Sequence, residues 1–270
     1  MSDLEKDPIV IVSAARTPLG GFQGALAGVS GPELGACALS GAVERASLGA
    51  GDVDEVFMGC VLPAGVGQAP ARQAALRGGL EQSVAATTIN KVCGSGMKTV
   101  MLAADALAMG RASVAVAGGM ESMSNAPYLL PNARGGMRLG HGAAKDHMFL
   151  DGLEDAYEGR LMGTYAEDTA QHYQFSREAQ DDYALTSLAR SKAATEDGTF
   201  APEIVPVTIK GRKGEIVVEQ DEQPLSAQPD KIPTLKPAFA PDGTVTAANS
   251  SSISDGAAAL VMMRRSDADR

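Results

Sequence analysis

The first third of the chain alternates two hydrophobic rhythms. PIVIVSAA at 8–15 is a short apolar run rich in β-branched residues, and residues 32–48 carry Leu34, Ala38, Ala42 and Val43 at near-helical spacing. This predicts a strand followed by a helix. DEVFMGCV at 54–61 predicts a second strand, 71–80 a second helix and VAATTIN at 84–90 a third strand. From Met97 the positions Val100, Met101, Ala104, Leu107 and Ala108 trace one helical face up to Gly110, and ASVAVAGG follows as the next strand. Such alternation predicts a βαβ-type sheet with helices packed on it.

The rhythm breaks after Gly119. Residues 122–152 are rich in Gly, Pro, Asn and Met without sustained periodicity, which predicts a long irregular segment of functional or interfacial use. Ser176 fits the N-cap of a helix running through Ala194 and stopping near Gly198. EIVPVTIKGRKGEIVVE at 203–219 predicts a β-hairpin whose turn holds Lys210, Arg212 and Lys213, and a Pro-rich tract follows at 224–241. ANSSSISDGAAALVMM at 248–263 returns to a polar turn and a buried apolar strand. The expected organisation is therefore one α/β domain over 1–120 and 248–270, interrupted by an insertion at 121–247.

Composition sets limits on this picture. With 270 residues, 44% of them hydrophobic, and 31 glycines, the chain is long enough for a substantial α/β core. A net charge of −10 argues against nucleic acid or an anionic membrane surface as partner. No apolar run reaches the roughly 18 residues of a membrane span, and MSDLEKDP lacks the marks of a targeting segment, so a cytoplasmic location is expected. Cys37, Cys60 and Cys93 are too few and too scattered for a disulfide framework or a metal site; they read as reduced thiols, and no metal is expected.

Candidate chemistry concentrates in INKVCGSGMKTV at 89–100. Cys93 stands where the third strand gives way to a helix, and Gly94 and Gly96 allow a sharp turn without a Cβ clash. A thiol raised by such a turn faces the N–H groups of a helix start, which favour a thiolate. A lone cysteine is also often a small hydrophobe packed beneath a helix, and the residues alone leave both readings open.

The segment NKVCGSG at 90–96 resembles the active-site motif of the thiolases, enzymes that make or cleave 3-ketoacyl-CoA. SAARTPLGGFQGAL near the start, AGGMESMSNAPY after the fourth strand, DGLEDAYEGRLMGTYAE in the insertion and TAANSSSISDGAAA at the end resemble further thiolase segments in the same order. The resemblance covers essentially the whole chain. It implies an N-terminal thiolase half, a mixed β-sheet with helices packed on it, plus an inserted loop domain for CoA binding and tetramer contacts.

The implied function is reversible Claisen condensation or thiolysis between acyl-CoA and 3-ketoacyl-CoA, with Cys93 carrying the acyl group and its backbone N–H serving as an oxyanion donor. The resemblance also implies CoA contacts at Leu153, Met162, Phe239, Ala247 and Ser251. CoA is then a substrate, and no tightly bound cofactor is expected. Leu161 stands where short-chain biosynthetic thiolases often carry a CoA-contacting histidine, and QPLSAQPDKIP replaces a stretch that holds an arginine in those enzymes. Lys231, with Lys236, Arg212 and Lys213, is a candidate cationic replacement, or else solvated surface as exposed lysines usually are.

A complete thiolase carries a second half with Asn-Glu-Ala-Phe, Gly-His-Pro and Cys-x-Gly segments. None occurs in these 270 residues. The expectation is that this chain alone turns over little or not at all, and that its partners include acyl-CoA, a missing C-terminal half, and further copies in a homodimer or tetramer. RGGMRLGH at 134–141 matches the family's tetramer-contact segment. A non-catalytic CoA- or lipid-binding module with the same fold is the alternative; ketoacyl-ACP synthesis fits the surrounding segments poorly.

Overall fold

The computed structural model describes residues 6–211 and 214–270. Arg212 and Lys213, placed in the predicted hairpin turn, lie outside the described residues. The strands are β1 (Ile9–Arg16), β2 (Gly20–Gly21), β3 (Glu55–Gly59), β4 (Ala85–Ile89), β5 (Val114–Ser122), β6 (Tyr128–Leu129), β7 (Lys145–Asp146), β8 (Val207–Gly211), β9 (Gly214–Val218) and β10 (Ser254–Arg264). The helices are α1 (Gly31–Arg45), α2 (Pro70–Arg77), α3 (Ser95–Ala108), α4 (Met162–Tyr173), α5 (Arg177–Glu196), α6 (Glu222–Ser226) and α7 (Arg265–Ala268).

The main sheet runs β1-β10-β5-β3-β4, with β2 also paired to β10. β3 is parallel to both β4 and β5, whereas β10 is antiparallel to its neighbours β1 and β5. The sheet is therefore mixed: the last long strand of the chain inserts beside the first. β4 closes one edge, with Ala85 and Thr87 exposed.

Strand alternation sends side chains to two faces. On one, Val56, Met58, Val116, Ala259 and Val261 pack with Leu34, Ala38 and Leu39 of α1 and Ala71 and Ala74 of α2. On the other, Phe57, Ala115, Ala117 and Met262 pack with Ala103, Ala106 and Leu107 of α3. Leu34 and Leu39 are fully buried, each contributing about 2 kcal/mol. The α3 face differs from the expected one. Its buried positions are Ser95, Thr99, Ala103, Ala106 and Leu107, whereas Met101 is exposed and Val100, Ala104 and Ala108 are only half-buried. Small side chains in its first turns let the helix sit close to the sheet, and Leu107 near its end supplies the one large buried apolar contact. Met97, at 74% exposure, and Met101, at 54%, form an apolar stripe on that free face.

Ser176 caps α5 as expected, its Oγ accepting from the Ala179 N–H at 3.1 Å. The α4 helix was not anticipated; only Ala170 in it is buried, so it lacks an amphipathic signature. Residues 203–205 run beside the end of β1: Arg16 N–H donates to Glu203 O at 2.9 Å, and Val205 N–H to Arg16 O at 2.8 Å. The Arg16 guanidinium then ties this stretch down, with Nε on Glu203 at 2.6 Å and Nη1 and Nη2 on both Asp221 oxygens at 2.7 and 2.9 Å. Among the described residues no helix is long and apolar enough to cross a membrane.

Candidate active site

Cys93 lies between β4 and the start of α3, and its side chain is exposed. It is therefore not a hydrophobe packed under the helix. Cys60 fits that description: it is 3% exposed, and burial, reinforced by the Glu121 charge, pushes its thiol up to about 12. Cys37 is half-buried, and burial raises its thiol as well.

The turn is built differently from the sequence expectation. Gly94 has φ −86°, an ordinary value for any residue, and a Cβ on Gly94 or Gly96 would meet nothing closer than 3.5 Å. The left-handed residue is Val92, with φ +48°. A β-branched residue there is a local strain of about 1–3 kcal/mol that its surroundings must over-determine. They do so with two polar side chains. Asn90 Oδ1 accepts from Val92 N–H at 2.9 Å, and Ser95 Oγ donates to Val92 O at 2.6 Å while accepting from Lys91 N–H at 2.8 Å. No hydrogen bond from the Cys93 N–H is present among the described residues.

Close approach is secured from below. A Cβ on Gly59, the last residue of β3, would stand 2.8 Å from Ser95 Cβ and 3.0 Å from Gly96 N. Gly59 thus lets the first turn of α3 rest on the sheet, with Thr99 Oγ1 donating to Gly118 O at 2.9 Å on the neighbouring strand. The relevant glycine lies in β3, the strand paired beside β4, rather than inside the motif.

The positions implied for CoA fall on connected elements of the inserted segment and, for Ser251, on the turn just after it. Leu153 ends a π-turn at Phe149–Leu153, and a bridge between Glu154 and Leu161 brings it beside Met162, the first residue of α4. The Phe239 ring lies against the next residue, Gly163, so closely that a Cβ there would overlap it. From Phe239 the chain returns past Ala238, whose N–H donates to Val245 O at 2.9 Å. Glu167 of α4 then accepts from the N–H groups of Thr244 and Val245 at 2.8–3.0 Å. Desolvation is the largest single influence and raises its carboxyl, but the bonds together outweigh it and hold the carboxyl below the usual range. Asn249 donates to Asp181 Oδ1 at 3.0 Å and Thr244 O at 3.1 Å, fixing the turn that carries exposed Ala247 and Ser251. Leu153, Met162, Phe239 and Ala247 thus share one continuous scaffold. Lys231 is exposed on a short 3-10 turn at Pro229–Thr234, on the part of the insertion anchored by Arg177 Nη2 to Ile232 O at 3.1 Å.

A polar group absent from the sequence reading joins the site to the insertion. Glu121, at the end of β5, accepts from Val61 N–H at 2.8 Å and Leu62 N–H at 3.0 Å. Burial raises its carboxyl. Buried His147 accepts at Nε2 from Ala64 N–H at 3.3 Å and bonds through Nδ1 to Asp151 at 2.6 Å, so the 61–64 stretch is held by both. The signal available in sequence was an acidic residue closing an otherwise apolar strand.

Comparison with known proteins agrees with this architecture. The family described as thiolase, N-terminal domain, matches residues 9–266. An acetyl-CoA acetyltransferase of Escherichia coli is 52% identical over 261 residues, covering 96% of this chain and 66% of that protein. A cytosolic acetyl-CoA acetyltransferase of Gibberella zeae is 50% identical over 258 residues, with 95% and 65% covered, and a mitochondrial one of Xenopus laevis is 53% identical over 264, with 97% and 62% covered. The chain thus spans a little under two thirds of the length of most such relatives. A match over residues 9–266, together with identities near one half, places the chain in the thiolase family.

Proposed function

We propose that this chain carries the acyl-accepting half of a thiolase active site, acting on acetyl-CoA or a related short acyl-CoA. The observation that carries the reading is the exposed Cys93 at a left-handed turn before α3, in a chain of the thiolase family. The Cys93 thiolate attacks the thioester carbonyl of acyl-CoA, the bond from carbonyl carbon to CoA sulfur breaks, and the departing CoA thiolate takes up a proton. One thioester replaces another, so the acyl group remains electrophilic. In condensation, a base removes the α-proton of a second acetyl-CoA and the resulting enolate attacks acetyl-Cys93, releasing the cysteine thiolate and acetoacetyl-CoA. Thiolysis reverses these steps. The Cys93 N–H, which has no acceptor among the described residues, is placed here as one oxyanion donor.

In this reading residues 121–247 act as an inserted loop domain on an α/β domain of residues 1–120 and 248–270. Leu153, Met162 and Phe239 line an apolar channel for the pantetheine arm, Ala247 and Ser251 border it, and Lys231 meets a CoA phosphate. The exposed edge of β4 supports pairing with a second copy, the 134–141 loop a further pairing into tetramers, and the Met97/Met101 stripe contact with a second thiolase half. We place the protein in the cytoplasm.

No Gly-His-Pro or Cys-x-Gly segment, the carriers of proton transfer in a complete thiolase, occurs among the 270 residues. That absence favours low turnover by the chain alone, since losing a positioned base costs on the order of 100- to 10,000-fold. It also supports the second reading, a CoA- or lipid-binding module without chemistry. Exchange of isotopic label between free CoA and acetyl-CoA separates the two. Slow exchange that vanishes in Cys93→Ser is the expected result; equal rates in wild type and Cys93→Ser would leave only the binding module.

A further inference from the structure

We infer that Glu121 is a positioning residue for Cys93, acting through the Val61–Leu62 peptide and the Asn90 side chain; the inference rests on Cys93 being the acyl acceptor. The geometry is a single relay. One peptide unit is gripped from both ends: its N–H, on Leu62, donates to Glu121 Oε1 at 3.0 Å, and its carbonyl, on Val61, accepts from Asn90 Nδ2 at 3.4 Å. Glu121 Oε2 holds the preceding N–H of Val61 at 2.8 Å, so the peptide cannot rotate without losing carboxylate contacts. With Nδ2 committed to Val61, the Asn90 carboxamide turns Oδ1 toward Val92 N–H, the bond at 2.9 Å that supports the left-handed residue before Cys93.

Glu121 Oε1 also accepts from the Cys60 thiol at 3.7 Å, a longer and weaker contact than its bond to Leu62 N–H. A carboxylate accepting two N–H groups is a stronger hold than a neutral amide, because charge-assisted bonds are about twice as strong as neutral ones. Hydrogen bonds in series also polarise one another, so the Glu121 contact strengthens the Val61 carbonyl as an acceptor for Asn90. Gln at 121 would present an NH2 to one of the two N–H donors. That peptide is then free to turn, Asn90 loses the contact that orients it, and Val92 can relax out of its strained conformation. Relaxation moves the Cys93 sulfur away from the first turn of α3. Glu121 itself touches no reacting atom in this scheme.

The test uses the whole chain and the rate of Cys93 alkylation by iodoacetamide at fixed pH, in wild type, Glu121→Gln, Asn90→Leu and the double variant. Each single substitution is expected to slow Cys93 alkylation on the order of tenfold, as a misplaced reacting group does. The double variant is expected to be no slower than either single one, because both break the same relay. Amide exchange across 60–64 in Asn90→Leu gives a second readout in a background with Glu121 intact, and it serves if Glu121→Gln does not fold; faster exchange there is expected. Alkylation of Glu121→Gln within twofold of wild type, multiplicative effects in the double variant, or unchanged exchange at 60–64 would overturn the relay. A wild-type Cys93 that resists alkylation would instead count against the acyl-acceptor reading itself.

Discussion

In the folded chain at neutral pH, iodoacetamide is expected to modify Cys93 on the order of a hundredfold faster than Cys60. The difference follows from where the two sulfurs sit. Burial and the adjoining Glu121 charge push the Cys60 thiol from 9.0 up to about 12, so at any pH well below 9 its thiolate population is about a thousandth of an ordinary thiol's, an effect partly offset by the greater nucleophilicity of the more basic thiolate. Access adds to this, since Cys60 is 3% exposed and Cys93 is open to solvent. Cys37, half-buried with its thiol raised by burial, should react at an intermediate rate. Quenched time points followed by peptide mass mapping check the order. Cys60 labelled as fast as Cys93 would show that the 60–64 stretch opens readily, and a site resting on that stretch could not hold its geometry.

The second large effect concerns the latch between β1 and the inserted segment. Arg16→Met is expected to destabilise the chain by about 3–5 kcal/mol, the cost of leaving one member of a buried ion pair without its partner. Asp221 is 5% exposed and would keep the Leu19 N–H at 2.8 Å but lose both guanidinium contacts, and Glu203 would lose its own at 2.6 Å. Thermal unfolding should shift down by roughly 10 °C for a chain of this size. Arg16→Met combined with Asp221→Leu should recover part of that loss, because the stranded charge is removed. A single-variant shift of only a degree or two would show that the insertion is held mainly by the packing of Ile204 and Val207.

The strands and helices of the sheet were legible in the sequence because their burial is periodic. Val56 and Met58 alternate with Phe57 on opposite faces, as the run DEVFMGCV foretold. Helix α3 was legible as a helix but not in its orientation. Its buried face is made of Ser95, Thr99, Ala103, Ala106 and Leu107; the residues of the first turns are small where they close over Gly59, and Met97 and Met101, which carry the stronger hydrophobic signal, point outward. The turn at Cys93 was located correctly and explained by the wrong residues. Glycines in a motif suggest left-handed backbone, yet Val92 adopts it, supported by Asn90 and Ser95 through contacts that no local pattern announces. Glu121 escaped for a related reason: its partners are backbone N–H groups 59 and 60 residues away in sequence. Helix α4 has one buried residue and draws its order from Glu167 and Phe239 contacts made across the insertion.

The most direct measurement is the site of acylation after brief exposure of the whole chain to acetyl-CoA. Intact-protein mass spectrometry followed by peptide mapping is predicted to find one acetyl group, on the peptide containing Cys93. It should be labile to hydroxylamine, as a thioester is, and absent in Cys93→Ser. Acetylation at lysine, at Cys37 or Cys60, or no adduct under conditions where iodoacetamide still labels Cys93, would contradict the account.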